Sequence, residues 1–379
     1  MKKIYLLYII FAFIITGCLI ACDDWTEIEA KHFSEEMISE EYYAALRAYK
    51  KSPHSVLFGW FGGWAGEGTN VKSSLAGLPD SVDFVSIWGG WHSLTEAKKA
   101  DLKFVQEKKG LKALACILMF QIGDGITPEQ PADFEGSWND WQHEFWGWKP
   151  GDEESINAAI VKYANAVCDT IDKYNLDGFD LDAEPSYSQP FETNKEMWRP
   201  KSRAHLFIQT MAKRIGPKAE SPQGVEKLLV VDGEPEAFPA EMGGCFDYFI
   251  LQSYRCSGES DLEWRLNRQI SHFASVLTEE EVTNKLIVTE TIEAVDVALN
   301  GGYNFTDPAG NRMKSVEGMA RWQPQNGFRK GGMGTYHMEA EYGTTPDYRY
   351  LRNAIQIMNP SALSLSLIHI SEPTRLQLI

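Results

Sequence analysis

Short apolar runs alternate with amphipathic stretches along this chain from residue 55 to residue 338. The runs are SVLFGWFGG (55–63), SVDFVSIWG (81–89), KALACILMF (112–120), LDGFDLDAE (176–184), KLLVVDG (227–233), FDYFILQSY (246–254), KLIVTET (285–291) and GGMGTYHM (331–338). Each has strand length, and most lack strict alternation; they are apolar on both faces, as parallel strands covered by helices must be. The stretches between them carry apolar residues at helical spacing. TEAKKADLKFVQEKK (95–109) opens on Thr95 and Glu96 and closes basic, which suits the helix dipole. Further helices are expected over 153–175, 203–216, 261–277 and 346–359, and one over 34–52 with Ser34 as its N-cap.

Eight strands alternating with helices predict the α/β class and a single (β/α)8 TIM barrel over residues 34–360. An open doubly wound sheet would want a Gly-rich phosphate loop after the first strand. GWFGGWAGEG (59–68) has glycines but no GxGxxG, and no helix starts there. Two connections are long. Residues 123–150 carry Trp138, Trp141, Trp146 and Trp148 with little apolar periodicity, and read as a loop on the C-terminal, catalytic side of the third strand. Residues 292–330 leave no room for a second domain.

The two ends differ from the body of the chain. MKK followed by IYLLYIIFAFIIT is a basic n-region and an apolar h-region too short for a stable transmembrane helix. ITGC and LIAC then resemble lipoboxes, so residues 1–21 are expected to be a lipoprotein signal peptide and Cys22 the lipidated residue. Cys18 is the alternative anchor, and a plain secretory signal is the simpler one. The acidic CDDWTE that follows opens a tether over residues 22–33. The arrangement resembles surface lipoproteins of Gram-negative glycan-degrading bacteria, which implies an outer-membrane protein exposed at the cell surface. At the other end, LSLIHISEPTR (365–375) resembles a translated sequencing-library adapter, so residues 365–379 are expected not to be native protein.

Charge narrows the partners. Lys and Arg number 36 against 53 Asp and Glu, a formal net charge of -17 over 379 residues. Nucleic acid and anionic membrane surfaces would be repelled. The twelve tryptophans can serve as core or as flat platforms for sugar rings. Cys116, Cys168, Cys245 and Cys256 show no zinc spacing, and reduced buried thiols are expected of them.

The most unusual chemistry lies in LDGFDLDAEP, where Asp177, Asp180, Asp182 and Glu184 sit in an otherwise apolar run. Side chains two apart share a strand face, so Asp180, Asp182 and Glu184 point one way and Phe179, Leu181 and Ala183 the other. Inside a barrel these acids cannot all ionise cheaply, and a carboxyl that keeps its proton near neutrality can act as a general acid. A metal site is the competing reading, but three acids in line on one strand, without His or nearby Asn, coordinate poorly. No metal and no cofactor is expected.

DGFDLDAE resembles the DGxDxDxE signature of family 18 glycoside hydrolases, on the strand where that family carries it. The resemblance implies a retaining, substrate-assisted hydrolysis through an oxazolinium ion, with no protein nucleophile. Carried over, Glu184 is the acid/base, Asp182 positions the substrate acetamide, Asp180 supports Asp182, and Asp177 is structural. LQSY at the end of the sixth strand matches too: Tyr254 would donate to the acetamide carbonyl. The pair Gln252 and Tyr254 is similar to the endo-β-N-acetylglucosaminidase branch, whereas chitinases tend to show Met-x-Tyr-Asp. The eighth strand ends TYHM, with Tyr336 and no Trp. The resemblance thus implies cleavage of the GlcNAc-β1,4-GlcNAc core of N-glycans on glycoproteins, by a monomer. A chitinase acting on chitin oligomers and a non-catalytic glycan-binding surface lipoprotein are the alternatives. Trp60, Trp88 and Trp91 near the ends of the first two strands are candidates for sugar stacking, with Trp64 beside them. Asp232, Glu234 and Glu290 are candidates for binding hydroxyls at the rim.

Overall fold

The computed structural model describes residues 39–66, 71–186 and 201–360. The expected signal peptide, Cys22, the tether, Ser34 and the 365–379 tail lie outside the described residues.

In chain order the strands are β1 (Val56–Gly62), β2 (Phe84–Trp88), β3 (Lys112–Leu118), β4 (Gly178–Ala183), β5 (Leu228–Gly233), β6 (Tyr248–Gln252), β7 (Leu286–Thr291), the short pair β8 (Asn304–Thr306) and β9 (Arg312–Lys314), and β10 (Gly332–Tyr336). All eight expected strands form, each within three residues of its expected ends. They close a parallel barrel, β1 to β7 in sequence and then β10, which pairs back to β1. Closure rules out the open doubly wound sheet. The helices are α1 (Glu40–Lys50), α2 (Glu96–Phe104), α3 (Trp138–Trp146), α4 (Glu153–Lys173), α5 (Lys201–Ala212), α6 (Pro222–Val225), α7 (Glu259–Phe273), α8 (Glu279–Lys285), α9 (Val295–Leu299), α10 (Ser315–Arg321) and α11 (Arg349–Met358). Thr95 caps α2 by accepting from the Lys98 amide.

Two stretches hold more structure than their periodicity suggests. The insertion after β3 contains α3, started by a reciprocal cap in which Ser137 accepts from the Asp140 amide and Asp140 accepts from the Ser137 amide. Trp146 and Trp148 from this insertion are core residues, whereas Trp138 is 43% exposed. The connection from β7 to β10 holds the antiparallel β8–β9 hairpin and two short helices.

Strand parity sorts the core into two layers. Leu57, Val85, Phe179, Leu181, Leu229, Val231, Phe249 and Val288 face the helices. Val56, Phe58, Phe84, Leu114, Val230, Ile250 and Ile287 face inward and fill the lower barrel, with Phe84 stacked on Tyr248 at 5.3 Å. Gly334 leaves space for Phe58, since a Cβ there would lie 2.8 Å from the Phe58 ring. Burying each such side chain contributes about 1.5–3 kcal/mol. This apolar plug fills the lower interior, and the buried acids Asp180, Asp182 and Asp232 lie above it, toward the C-terminal end.

An aspartate repeats at the closed end. Asp83, Asp177 and Asp247 each precede an even-numbered strand by one residue and accept from a backbone N–H of the strand before it: Leu57 at 2.8 Å, Ala113 at 2.9 Å and Leu229 at 2.8 Å. In each case the aspartate amide also donates to that residue's carbonyl. The carboxylate thus extends the ladder past its last backbone pair and fixes register. Asp177 is therefore structural and lies apart from the other three acids of its segment. Asp247→Ala should strip an acceptor from the buried Leu229 amide, lowering stability by ~1–3 kcal/mol. Denaturant unfolding checks this, with kcat at low temperature expected to change little.

Candidate active site

The parity that buries Phe179 and Leu181 outward turns Asp180 and Asp182 into the barrel, with Glu184 next on the same side, just beyond β4. Asp180 is 0% exposed and lies deepest; its Oδ2 accepts from Trp60 Nε1 at 3.1 Å and from Ser86 Oγ at 2.5 Å. Asp182 is 3% exposed, and Asp232 on β5 stands opposite it in register and is itself 0% exposed. Glu184 is half-buried at the rim. Gln252, at the end of β6, joins the two levels. Its Nε2 donates to Glu184 Oε1 at 2.6 Å and to Asp232 Oδ1 at 2.9 Å. Gly233 is needed between them: it adopts φ +86°, and a Cβ there would meet the Ala183 carbonyl at 2.6 Å and Glu184 Cγ at 3.1 Å.

The electrostatics follow from burial. Asp182 and Asp232 are both driven well above the ordinary carboxylate range, first by desolvation and then by neighbouring acids: Glu184 and Asp180 for Asp182, Asp180 and Asp182 for Asp232. Burial also raises Asp180, against the hydrogen bonds from Ser86 and Trp60. Glu184 is raised by burial and by the charge of Glu234, while its bond from Gln252 opposes the shift. Asp182 and Glu184 are in hydrogen-bond contact, so the proton between them belongs to the pair. Every shift favours the protonated form beneath an open rim, the direction that general acid chemistry needs.

Aromatic rings wall the opening. Tyr336, from the end of β10, stacks on Tyr254 at 6.0 Å and meets Trp88 edge-on at 5.9 Å and Trp60 at 6.0 Å. Burial, then Asp232, Asp182 and Glu184, raise Tyr254, so its phenol stays a donor. Glu234 sits half-buried beside Glu184, and its Oε1 accepts from the Ser186 amide at 2.9 Å, which holds the turn after the acid.

Several expected site residues lie elsewhere. Glu290 is no rim hydroxyl binder: it shares the outward face of β7 with Leu286 and Val288, is 0% exposed, and accepts from the Arg255 and Thr291 amides at 2.7 and 2.8 Å. It clamps the loop after β6. Trp91 is no stacking platform either; it is 3% exposed in the helix-side core, donating to the Cys116 carbonyl at 3.2 Å. Trp64 is likewise core, bonded to Asp101 at 2.8 Å. Trp60 lies within the site, but at 2% exposure it supports Asp180 and offers no open face. Asp232 lies below the rim, inside the acid cluster. Ser86 and Cys116 were not expected as site residues; both interrupt apolar strands, a signal visible in the sequence, but only closure of the barrel turns these positions inward.

The Cys116 sulfur and oxygens of Asp182 and Asp232 come within 4.8 Å of one another, a spacing a cation could bridge. The donor chemistry fits poorly. Burial and three adjacent carboxyls push the thiol far up, so it would have to ionise beside acids whose own ionisation burial opposes.

The sequence matches the family described as "Glycoside hydrolase family 18, BT1044-like" over residues 20–357. The structure resembles that of a selenomethionine Glu-to-Gln variant of BT1044, with 34% identity, a TM-score of 0.71, and 85% of this chain and 93% of the other covered. Endo-beta-N-acetylglucosaminidase F2 of Elizabethkingia meningoseptica is 24% identical over 336 residues, covering 83% of this chain and 85% of that protein. An endo-beta-N-acetylglucosaminidase double mutant from Cordyceps militaris, in complex with fucosyl-N-acetylglucosamine-Asn, shares the fold at 21% identity and a TM-score of 0.56, with 84% and 95% covered. A closed barrel with a row of inward acids on its fourth strand, and a match over nearly the whole chain, lead to one conclusion: this chain belongs to glycoside hydrolase family 18 and is a glycoside hydrolase.

Proposed function

We propose that this protein is an endo-β-N-acetylglucosaminidase that cuts the GlcNAc-β1,4-GlcNAc core of N-glycans with retention, through a substrate-derived oxazolinium ion. The observation that carries the reading is the Gln252 bridge, which ties the acid/base Glu184 to the buried acids, with Tyr254 beside it. Three further features support it. β10 ends in Tyr336 where chitinases carry Trp, the β7–β10 connection holds a hairpin and no α+β domain, and relatives named for this activity align over most of their length.

Glu184 gives its proton to the glycosidic oxygen as the bond to the anomeric carbon breaks. The substrate's acetamide oxygen attacks that carbon, while Asp182 accepts from the acetamide N–H and Tyr254 donates to the carbonyl side. Water then opens the oxazolinium, and Glu184 takes the water's proton. Two inversions give retention. The aromatic wall of Tyr336 and Trp88 offers apolar faces to the sugars. We further propose that Cys22 anchors the enzyme in the outer membrane, where glycoproteins outside the cell are the accessible substrate.

Digestion of a biantennary glycoprotein, read by mass spectrometry, should leave one GlcNAc on each asparagine; products from chitin oligomers alone would overturn the reading. Glu184→Gln should lower kcat by about a thousandfold or more with glycan binding retained, and Asp182→Asn should lower it by roughly a hundredfold. Because the shifted acid is active while protonated, kcat/KM should fall as pH rises through its raised pKa. Glu234→Gln removes a nearby negative charge, which eases ionisation of Glu184, so the alkaline limb should move down by about half a unit.

A further inference from the structure

Three oxygens in the barrel interior have no donor: Asp180 Oδ1, Asp182 Oδ1 and Asp232 Oδ2. All three residues are at most 3% exposed. An acceptor-only carboxylate oxygen buried against other carboxylates is a costly arrangement, and a proton on one of them removes the cost by turning an acceptor into a donor. The choice among the three follows from their other bonds. Asp180 Oδ2 already accepts from Trp60 and Ser86, which suits an anion. Asp182 touches Glu184 and shares that pair's proton. Asp232 accepts one bond, from Gln252, its Oδ2 has no donor, and its carboxyl lies within hydrogen-bond reach of Asp180. The groups that face it are Cys116 from β3, Asp180 and Asp182 from β4, Glu184 beyond them, and Gln252 and Tyr254 from the β6 side, all acidic or neutral.

We infer that Asp232 works as a neutral, proton-carrying positioning residue. Its protonated oxygen donates to the Asp180–Asp182 pair, and its other oxygen orients the Gln252 amide so that the remaining N–H reaches Glu184. Asp232 touches no substrate in this scheme; it acts on the acid/base through Gln252. Because Gln252 spends both N–H bonds inside the protein, its carboxamide is a brace for Glu184 and supplies no donor to a sugar. The kinetic half of the inference rests on the hydrolase reading proposed above; the protonation half does not.

Asparagine is the test, since like a protonated aspartate it is neutral, with a carbonyl to accept from Gln252 and an amino group, carrying two N–H donors, to face Asp180 and Asp182. Asp232→Ala should lower kcat about a hundredfold with KM changed less than about threefold, and Asp232→Asn should recover most of that loss. The alkaline limb of Asp232→Asn should stay within about 0.3 unit of the wild type, because no charge is lost, whereas Glu234→Gln moves it. Kinetics as damaged in Asn as in Ala, or an Asn limb shifted down by half a unit or more, would overturn the inference. Should Asp232→Ala fail to fold, the Asn limb decides alone. Infrared difference spectra at neutral pH decide without turnover: subtracting Asp232→Asn from the wild type should leave a protonated-carboxyl band, and a carboxylate band there sinks the idea. A wild type inactive on glycoprotein and chitin oligomers alike would defeat only the hydrolase reading, with the infrared result still deciding Asp232.

Discussion

Four carboxyl groups share the upper interior of a closed barrel, and the groups that hold them are neutral or acidic: Ser86, Trp60, Cys116, Gln252 and Tyr254. Desolvation and like charge act together there, and both favour keeping protons on the cluster. That constraint links fold to chemistry. A solvated row of acids would ionise freely, whereas burial inside a closed barrel shifts the same row toward its protonated form. Glu184 is the member that reaches the rim, where water and a substrate can meet it.

The barrel makes the cluster affordable by separating it from the stabilising core. The lower interior is a plug of Phe58, Phe84, Leu114, Val230, Ile250 and Ile287, and a large apolar layer packs between strands and helices. Register matters more than usual, because a one-residue slip of β4 would place Asp180 and Asp182 among the helices. The aspartate clamps at Asp83, Asp177 and Asp247 lie at the closed end of three strand pairs, where register is set. Asp177 and Asp180 thus stand three residues apart with opposite tasks, one holding a ladder and one holding a site.

The rim is organised by single polar contacts spread over several strands. Gln252 carries Glu184, Glu234 holds the turn after it through Ser186, and Glu290 holds the loop after β6 from the outer face of β7. Tyr336 collects Tyr254, Trp88 and Trp60 into one aromatic wall. None of these contacts joins residues close in sequence.

Local sequence alone determined the eight strands, their alternation with helices, and the shared face of Asp180, Asp182 and Glu184, because strand period and apolar run length are properties of neighbours in the chain. Which face of each strand looks inward was decided by closure. Parallel strands are apolar on both sides, so parity leaves no mark in β7, and Glu290 reads as a rim group until the barrel turns it outward. Depth was hidden for the same reason: Asp232 looks like a loop-end acid until its register with Asp182 places it below the rim. Trp91 and Trp60 looked alike as aromatics near strand ends. One fills the helix layer and the other supports Asp180, because burial is a sum over distant segments that a single stretch of sequence does not contain.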